Sequence, residues 1–422
     1  MVNTVGDTVT EAAGGGTDVV VATVDYTTPA EIELLVLRGT GLTGTGTANA
    51  DAFRGDGGPN SFVGLGGDDV YVLGAGGDTV TEVAGGGTDS VFSSFSHTLG
   101  ADVERLFLRG TGLTGTGNAL GNLLSSEGGT NTLVGLGGDD TFLVGATADT
   151  VTEAAGEGFD TVIARVNFTL TANVEQLFLI GTGLSGTGTG AGDVLVSIGV
   201  GNTLTGLGGD DYYIVGAPNA IVEAAGAAGG FDVVVASTSF TLPANVKSLV
   251  LRGSALTGTG TSGADTLASK SGGNTLAGGD GNDSYIVGAS TEIVTESAGA
   301  GAGFDTIYAS ASYTIAANVE VLVLVGSLLT ATGSGLGDQL VSQGAGNTLL
   351  GGGGDDFLLG GAAADAMTGG AGGDAFAFRG LNGPLLAARF TIADFDASAG
   401  DGIDLTRTRS PAGSTTPSPS AP

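Results

Sequence analysis

The sequence predicts an all-β fold, a parallel β-solenoid of the β-roll or β-helix kind, with coils of about 18 residues gathered into five long repeats of about 72 residues. Three observations carry this. The blocks NSFVGLGGDD, NTLVGLGGDD, NTLTGLGGDD, NTLAGGDGND and NTLLGGGGDD start at Asn60, Asn131, Asn202, Asn274 and Asn347, a nearly constant interval. Within one repeat, apolar residues step through Leu195, Leu204, Tyr213, Val222, Val233, Leu242, Leu251 and Leu267, mostly in steps of nine, which suits a short strand plus a tight turn. Finally, 83 glycines and many β-branched residues disfavour helix, and no apolar spacing near 3.6 persists.

Two such steps make one coil, and coils stacked about 4.8 Å apart pair their strands in parallel. A second block travels with the first, ending at Asp18, Asp89, Asp160, Asp232 and Asp305. The chain opens in mid-repeat, which points to a longer array. The division expected is degenerate long repeats over 1–346, a regular nonapeptide roll over 347–378, a closing segment over 379–406 and a Pro/Ser-rich disordered tail over 407–422.

Composition narrows the partners. With 12 Lys and Arg against 44 Asp and Glu the formal charge is −32, so nucleic acid is excluded as a partner and cations are the natural one. No cysteine is present, which removes disulfides and thiolate metal sites. The N-terminal residues carry no cleavable signal pattern, and no apolar run reaches the roughly 18 residues of a membrane helix.

The stretch NTLAGGDGNDSYIV, from Asn274, holds more glycine than a turn requires. Its Gly278-Gly279-Asp280-Gly281-Asn282-Asp283 reads G-G-x-G-x-D, and GGGGDDFLL, GGAAADAMT and GGAGGDAFA follow one another between Gly351 and Ala377. These resemble the RTX nonapeptide of secreted bacterial proteins, which implies a β-roll whose turns bind Ca²⁺. Calcium takes six to eight oxygens at about 2.3–2.6 Å, and one turn offers only part of that shell, so turns on neighbouring coils share an ion. The residues this implies as ligands are Gly278, Asp280, Gly281, Asp283 and Asp305, with Gly351, Gly353, Asp356, Asp365, Gly369, Ala371 and Asp374 in the regular roll. In the body of the array the pairs are Asp69 with Asp89, Asp140 with Asp160 and Asp211 with Asp232, the members of each pair about one coil apart.

Leu65, Leu136 and Leu207 stand where the resemblance calls for the second glycine, and Ala363 where it calls for the fourth. A side chain in a left-handed conformation costs about 1 kcal/mol or more and could obstruct an ion, so the loops at Asp283, Asp356 and Asp374 rank above the GLGGDD copies. The competing reading is that each loop is only a solenoid corner, with Asp capping the turn.

Other motifs read as scaffold. GTGLTG and GTGLSG, at Gly39, Gly110 and Gly181, fit G-x-G-x-x-G but lead into no helix and recur once per repeat. The Thr/Gly runs that include Thr43, Thr45 and Thr47 are expected about four coils apart, not on adjacent rungs. His97 occupies an aromatic position, and Glu11, Glu82, Glu153, Glu223 and Glu296 repeat as a solvated face or turn cap would. One histidine and no cysteine cannot build a zinc or Cys/His catalytic site.

The pieces Asp374–Phe378, Ile392–Phe395 and Asp401–Leu405 resemble the segment that closes the calcium-binding domain of serralysin-type proteases, a family secreted through a C-terminal signal. The resemblance implies a non-enzymatic, calcium-stabilised structural or adhesive repeat protein, exported by type I secretion to the cell surface or medium. Its partners would be calcium, and beyond that a cell-surface polysaccharide or further copies stacked end to end. The alternatives are the carrier region of a larger exported enzyme and a solenoid filament.

Overall fold

A computed structural model describes residues 1–225, 229–299, 301–361, 364–379 and 390–404. The chain is all-β, a parallel solenoid without an α-helix among the described residues, and divides into two compact units, Met1–Gly230 and Phe231–Pro422. Ala363, Leu405 and the tail from 407 onward lie outside the described residues.

Each coil supplies one strand to a long sheet and a shorter strand to a second face. In the first unit, Ser90–Ser93, Arg105–Leu108, Leu123–Ser126, Thr141–Val144 and Thr161–Ala164 pair in parallel and in register. Their side chains alternate between core and solvent, the period-2 pattern of a half-buried strand. Leu106, Leu124, Phe142, Val162 and Leu177 thereby stack inside, all at 0% exposure, each burial contributing about 1.5–3 kcal/mol. The second unit repeats this from Val233–Ala236 to Ala375–Phe378, with Tyr285, Ile307, Leu322 and Leu340 inside. The strand Gly402–Asp404 adds a last rung beside Ala375–Phe378, and Thr391–Ile392 pairs with Ala366–Ala371.

Coil length is not uniform. The bonded corner residues Asp69, Asp89, Glu104, Asn122 and Asp140, on successive coils, step by 20, 15, 18 and 18 in the numbering, so a long repeat is four unequal coils. The second face is correspondingly broken into four-stranded blocks in the first unit, such as His97–Thr98, Thr114–Thr116, Thr132–Val134 and Thr150–Thr152. This unevenness corrects two positions of the expected apolar count. Ile221 is buried while Val222 is 48% exposed, and Val234, not Val233, is the fully buried member of its strand.

The Thr/Gly runs also find their reason. Gly115 faces inward between its two threonines, where a Cβ would lie 3.0 Å from both Leu106 Cδ2 and Leu108 Cδ1. Thr114, Thr132 and Thr150 stand on adjacent rungs, with Thr150 Oγ1 bonded to Thr132 Oγ1 at 3.0 Å. The Thr/Gly runs themselves recur four coils apart, as expected, each in its own four-stranded block, and the threonines on the rungs between them come from other strands of the repeat.

Candidate metal centre

Along two corners of the solenoid, Asx side chains cap backbone amides of the preceding coil, with Glu104, Glu175 and Glu320 taking this place in three coils. On one corner Asn60 Oδ1 accepts from the Leu42 amide and Asp78 Oδ1 from the Asn60 amide, at 3.0 and 2.8 Å. On the other, Asp69 Oδ1 accepts from the Asp51 amide and Asp89 Oδ1 from the Asp69 amide, at 2.6 and 2.8 Å. The same chain of bonds links Asn122, Asp140 and Asp160, and again Asp265, Asp283 and Asp305. On this second corner Asp69, Asp89, Asp140, Asp160, Asp283 and Asp305 each bind the solenoid through Oδ1.

The second oxygens are the chemically open ones. Oδ2 of Asp89, Asp140, Asp283, Asp305, Asp356 and Asp374 is buried and accepts no hydrogen bond. They do not stand alone. One oxygen each from Asp69, Glu82 and Asp89 lies within 4.8 Å of the others, and so do those of Asp140, Glu153 and Asp160, and of Asp283, Glu296 and Asp305. Two oxygens bound to one ion at about 2.4 Å are at most about 4.8 Å apart, so each trio has the dimensions of a shared calcium shell.

The first glycine of each loop makes room for this trio. A Cβ on Gly135 would collide with Glu153 Oε1 and Asp140 Oδ2, and one on Gly278 with Asp283 Oδ2, Tyr285 Oη and Glu296 Oε1. The leucines at the second position adopt left-handed φ values of 80, 80 and 82° at Leu65, Leu136 and Leu207. Their side chains stand outward, 36–44% exposed, and the carboxylate trios beside Leu65 and Leu136 form without obstruction.

Burial without a countercharge sets the electrostatics. It pushes Asp69 up to about 7 against the pull of the Asp51 amide, with Glu82, Asp51 and Asp89 repelling in the same direction as burial. Burial likewise lifts Asp140 and Glu153 to about 7, the carboxylates of Asp160 and Asp140 adding to the rise at Glu153. Asp283 reaches about 7 and Glu296 about 8, burial leading in both cases. Asp89, Asp160 and Asp305 are raised by burial as well. Among the described residues the ion pairs are Arg38 and Arg54 with Asp56, and Arg109 with Glu127, none of them at a trio. Three buried carboxylates, oxygen donors only and no organic cation nearby fit a hard divalent ion.

In the regular roll Asp338, Asp356, Asp374 and Asp401 continue the corner chain, each amide donating to the next carboxylate at 2.8–2.9 Å, and burial raises Asp356 to about 6. Gly351 and Gly369 lie against Oδ2 of Asp356 and Asp374, while Gly353 and Ala371 belong to the turns themselves, Gly354 donating to the Ala371 carbonyl. Asp365 is apart, on the opposite corner, where its two oxygens accept from the Asn347 and Gly361 amides at 2.7 Å. Asp280 is exposed, and Gly281 donates to the Gly301 carbonyl. Asp211 and Asp232 are each buried, one in either unit. In the closing segment Asp394 accepts from the Gly369 and Gly370 amides.

The glutamates depart from the expectation of a solvated face. Glu82 and Glu153 are 8% and 7% exposed. The available signal was spacing, since Glu82, Glu153 and Glu296 each follow Asp69, Asp140 and Asp283 at one and the same offset. Tyr71 and Tyr285, which read as plain apolar positions, donate their hydroxyls to Glu82 and Glu296.

A family profile described as the RTX calcium-binding nonapeptide repeat matches four stretches, residues 45–80, 116–152, 259–290 and 343–375. These contain Asp69, Asp140, Asp283 and the pair Asp356 and Asp374. The chain is also 37% identical over 96 residues to Endo-1,3-1,4-beta-glycanase ExsH of Rhizobium meliloti (strain 1021), a match covering 22% of this chain and 21% of that protein. The chain therefore carries four RTX calcium-binding nonapeptide repeats on a parallel β-solenoid, and the cation such repeats bind is Ca²⁺.

Proposed function

We propose that the chain is a non-enzymatic structural or adhesive module whose coils are held by Ca²⁺ outside the cell, reached by type I secretion. The observation that carries this is the division of labour at the corners: in Asp89, Asp140, Asp283 and Asp305 one oxygen caps a backbone amide, and the other is buried without a donor beside two further carboxylates. Asp69, Glu82 and Asp89 would hold one ion, Asp140, Glu153 and Asp160 another, and Asp283, Glu296 and Asp305 a third, with Asp356 and Asp374 serving the regular roll. When bound, calcium supplies the positive charge that lets these carboxylates stay ionised and close together. The residues supply the rest, aligning oxygens from successive coils and excluding water.

Extracellular calcium modules have Kd values of about 10⁻⁴–10⁻³ M, so the acids repel at cytosolic calcium and the solenoid tightens outside. The same reading assigns 1–346 to the degenerate array, 347–378 to the regular roll, 379–406 to the closing segment and 407–422 to a tail. Isothermal titration of the chelator-treated chain with CaCl₂ tests the site. Saturable heat at submillimolar to millimolar calcium, absent with MgCl₂, is expected; no calcium heat, or equal heat with magnesium, overturns it.

A second reading keeps the same sites and makes the chain the non-catalytic carrier of an exported carbohydrate-acting enzyme. It is favoured by the 96-residue match to a glycanase. Full-length gene sequence encoding a catalytic domain in the same chain would establish it.

A further inference from the structure

Outside the corners, the described basic residues of each unit are concentrated along that unit's long-sheet strands. Five of the described basic residues belong to the first unit: Arg38, Arg54 and Arg105 lie in long-sheet strands, and Arg109 and Arg165 directly follow them. The four in the second unit are placed alike, with Lys247 just before a long-sheet strand and Arg252, Lys270 and Arg379 just after one. The backbone ladder continues through these ends, for Arg109, Arg252 and Arg379 donate to Ser93, Ala236 and Gly360 carbonyls at 2.8, 2.8 and 3.1 Å. In a chain with 44 acids, every described Lys and Arg thus borders the long sheet.

Between the basic positions runs an apolar row. In the first unit Val72, Phe92 and Phe107 are in register on the outer face, followed after Ser125 by Leu143, Ile163 and Phe178. Phe92 and Phe107 stack at 4.6 Å, and Arg109 lies 4.3 Å from the centre of the Phe92 ring. In the second unit the row is Val250, Ala268, Ile286, Tyr308 and Val323. Several members are well exposed, Val72 at 37%, Ile286 at 38% and Tyr308 at 37%.

We infer that this face binds a linear acidic polysaccharide, running along the sheet with its sugar rings on the apolar row and its carboxylates on the arginines. The row is one side chain wide, which suits an extended polymer. Arg105 and Arg165 lie three coils apart, about 14 Å along the stack, on opposite sides of the apolar row, since Arg105 is in register with Thr161, four residues before Arg165. That spacing suits a polymer with one carboxylate per ring or two, whereas duplex DNA carries charges at intervals of about 1.7 Å and would leave most phosphates uncompensated. A second copy is a poor match, because Asp56 and Glu127, the acids in ion pairs on this face, are already engaged by arginine. Arg105, Arg165, Arg252 and Lys270 have no acid within ion-pair reach among the described residues and remain available. The inference deepens the adhesive reading above and rests on it for access to an external polymer.

The test is native-gel retardation of the full chain in calcium, comparing carboxymethyl cellulose with hydroxyethyl cellulose, which share a backbone and differ in charge. Retardation by the charged polymer is expected, at least tenfold weaker for an Arg105→Glu/Arg165→Glu variant and several-fold weaker for Phe178→Ser. A calcium titration followed by circular dichroism on the same samples shows that the variants fold, so loss of retardation with an intact calcium response isolates this face from the corner sites. Equal retardation by both polymers, or unchanged retardation in the arginine variant, overturns the inference. Sedimentation velocity showing dimers that the variant abolishes, without polymer binding, would assign the face to a second copy instead.

Discussion

Two corners of the first unit, one long repeat apart, differ in what meets their buried glutamate. At the first, Tyr71 donates its hydroxyl to Glu82. At the second, Phe142 occupies the equivalent place, and neither oxygen of Glu153 accepts a hydrogen bond of normal geometry. Both glutamates sit at about 7, but Tyr71 pulls Glu82 downward, whereas Glu153 has only the weaker pull of the Gly135 amide against burial, Asp160 and Asp140. The same backbone corner is thus partly satisfied from within in one copy and not in the other. What remains for the Phe142 corner is a proton or a cation.

Removing the charge while keeping the cap erases this difference. Asn122 already fills an Asx position of the corner chain, so Asp140→Asn/Asp160→Asn should retain the amide-capping oxygens. We expect the variant to fold in chelator and to lose one ion's contribution in calcium, about 2.7 kcal/mol at a hundredfold excess over Kd. For a unit of this size that is about 5–10 °C in melting temperature, read by calorimetry with and without calcium. An unchanged calcium shift would remove this corner from the set of sites.

Proton competition comes next. Asp69, Asp140 and Glu153 titrate near 4 when unfolded and near 7 when folded without metal, and burial raises Asp89 and Asp160 in the same direction. The folded form therefore holds protons that the unfolded chain releases, a contribution fully present below about pH 4 and lost as pH rises through 7. In chelator the melting temperature should fall from pH 5 to pH 8. In calcium it should not, because the ion takes the place of the protons, so the gap between the two conditions widens with pH. A gap independent of pH would contradict the shared use of these oxygens.

Exchanging the hydroxyl isolates its share. Phe142→Tyr should add a hydrogen bond worth about 1 kcal/mol in chelator and reduce the calcium increment, and Tyr71→Phe should do the reverse. The smallest effect is expected at the turn itself. Leu136→Gly removes left-handed strain of about 1–2 kcal/mol but restores backbone freedom of about 0.5–1 kcal/mol, leaving a gain of about 0–1.5 kcal/mol. Melting curves of the three variants in chelator and in calcium check all of these.

Much of this was legible in the sequence. The repeat spacings and the short apolar beat define a parallel solenoid, and the loop aspartates Asp69, Asp140 and Asp283 mark the corners where the carboxylate trios gather. Side-chain pairings across coils were harder to read, because Glu153 meets Asp140 only after the chain has crossed to the second face. Repetition could not distinguish scaffold from site, since Glu153 repeats for both reasons at once. The unequal coils likewise displaced the inward residue from Val222 to Ile221, which a uniform period cannot follow. Asp365 shows the converse, an aspartate on the nonapeptide period whose two oxygens are both taken by backbone amides.

That cations complete the corners is tested most directly by a calcium titration of the chelator-treated chain, followed by far-UV circular dichroism and thermal melting, with magnesium as the control. The expected result is a gain in β signal or melting temperature at submillimolar to millimolar calcium and none with magnesium. A β signal complete in chelator, with a melting temperature that calcium does not move, would mean that apolar stacking alone holds the coils.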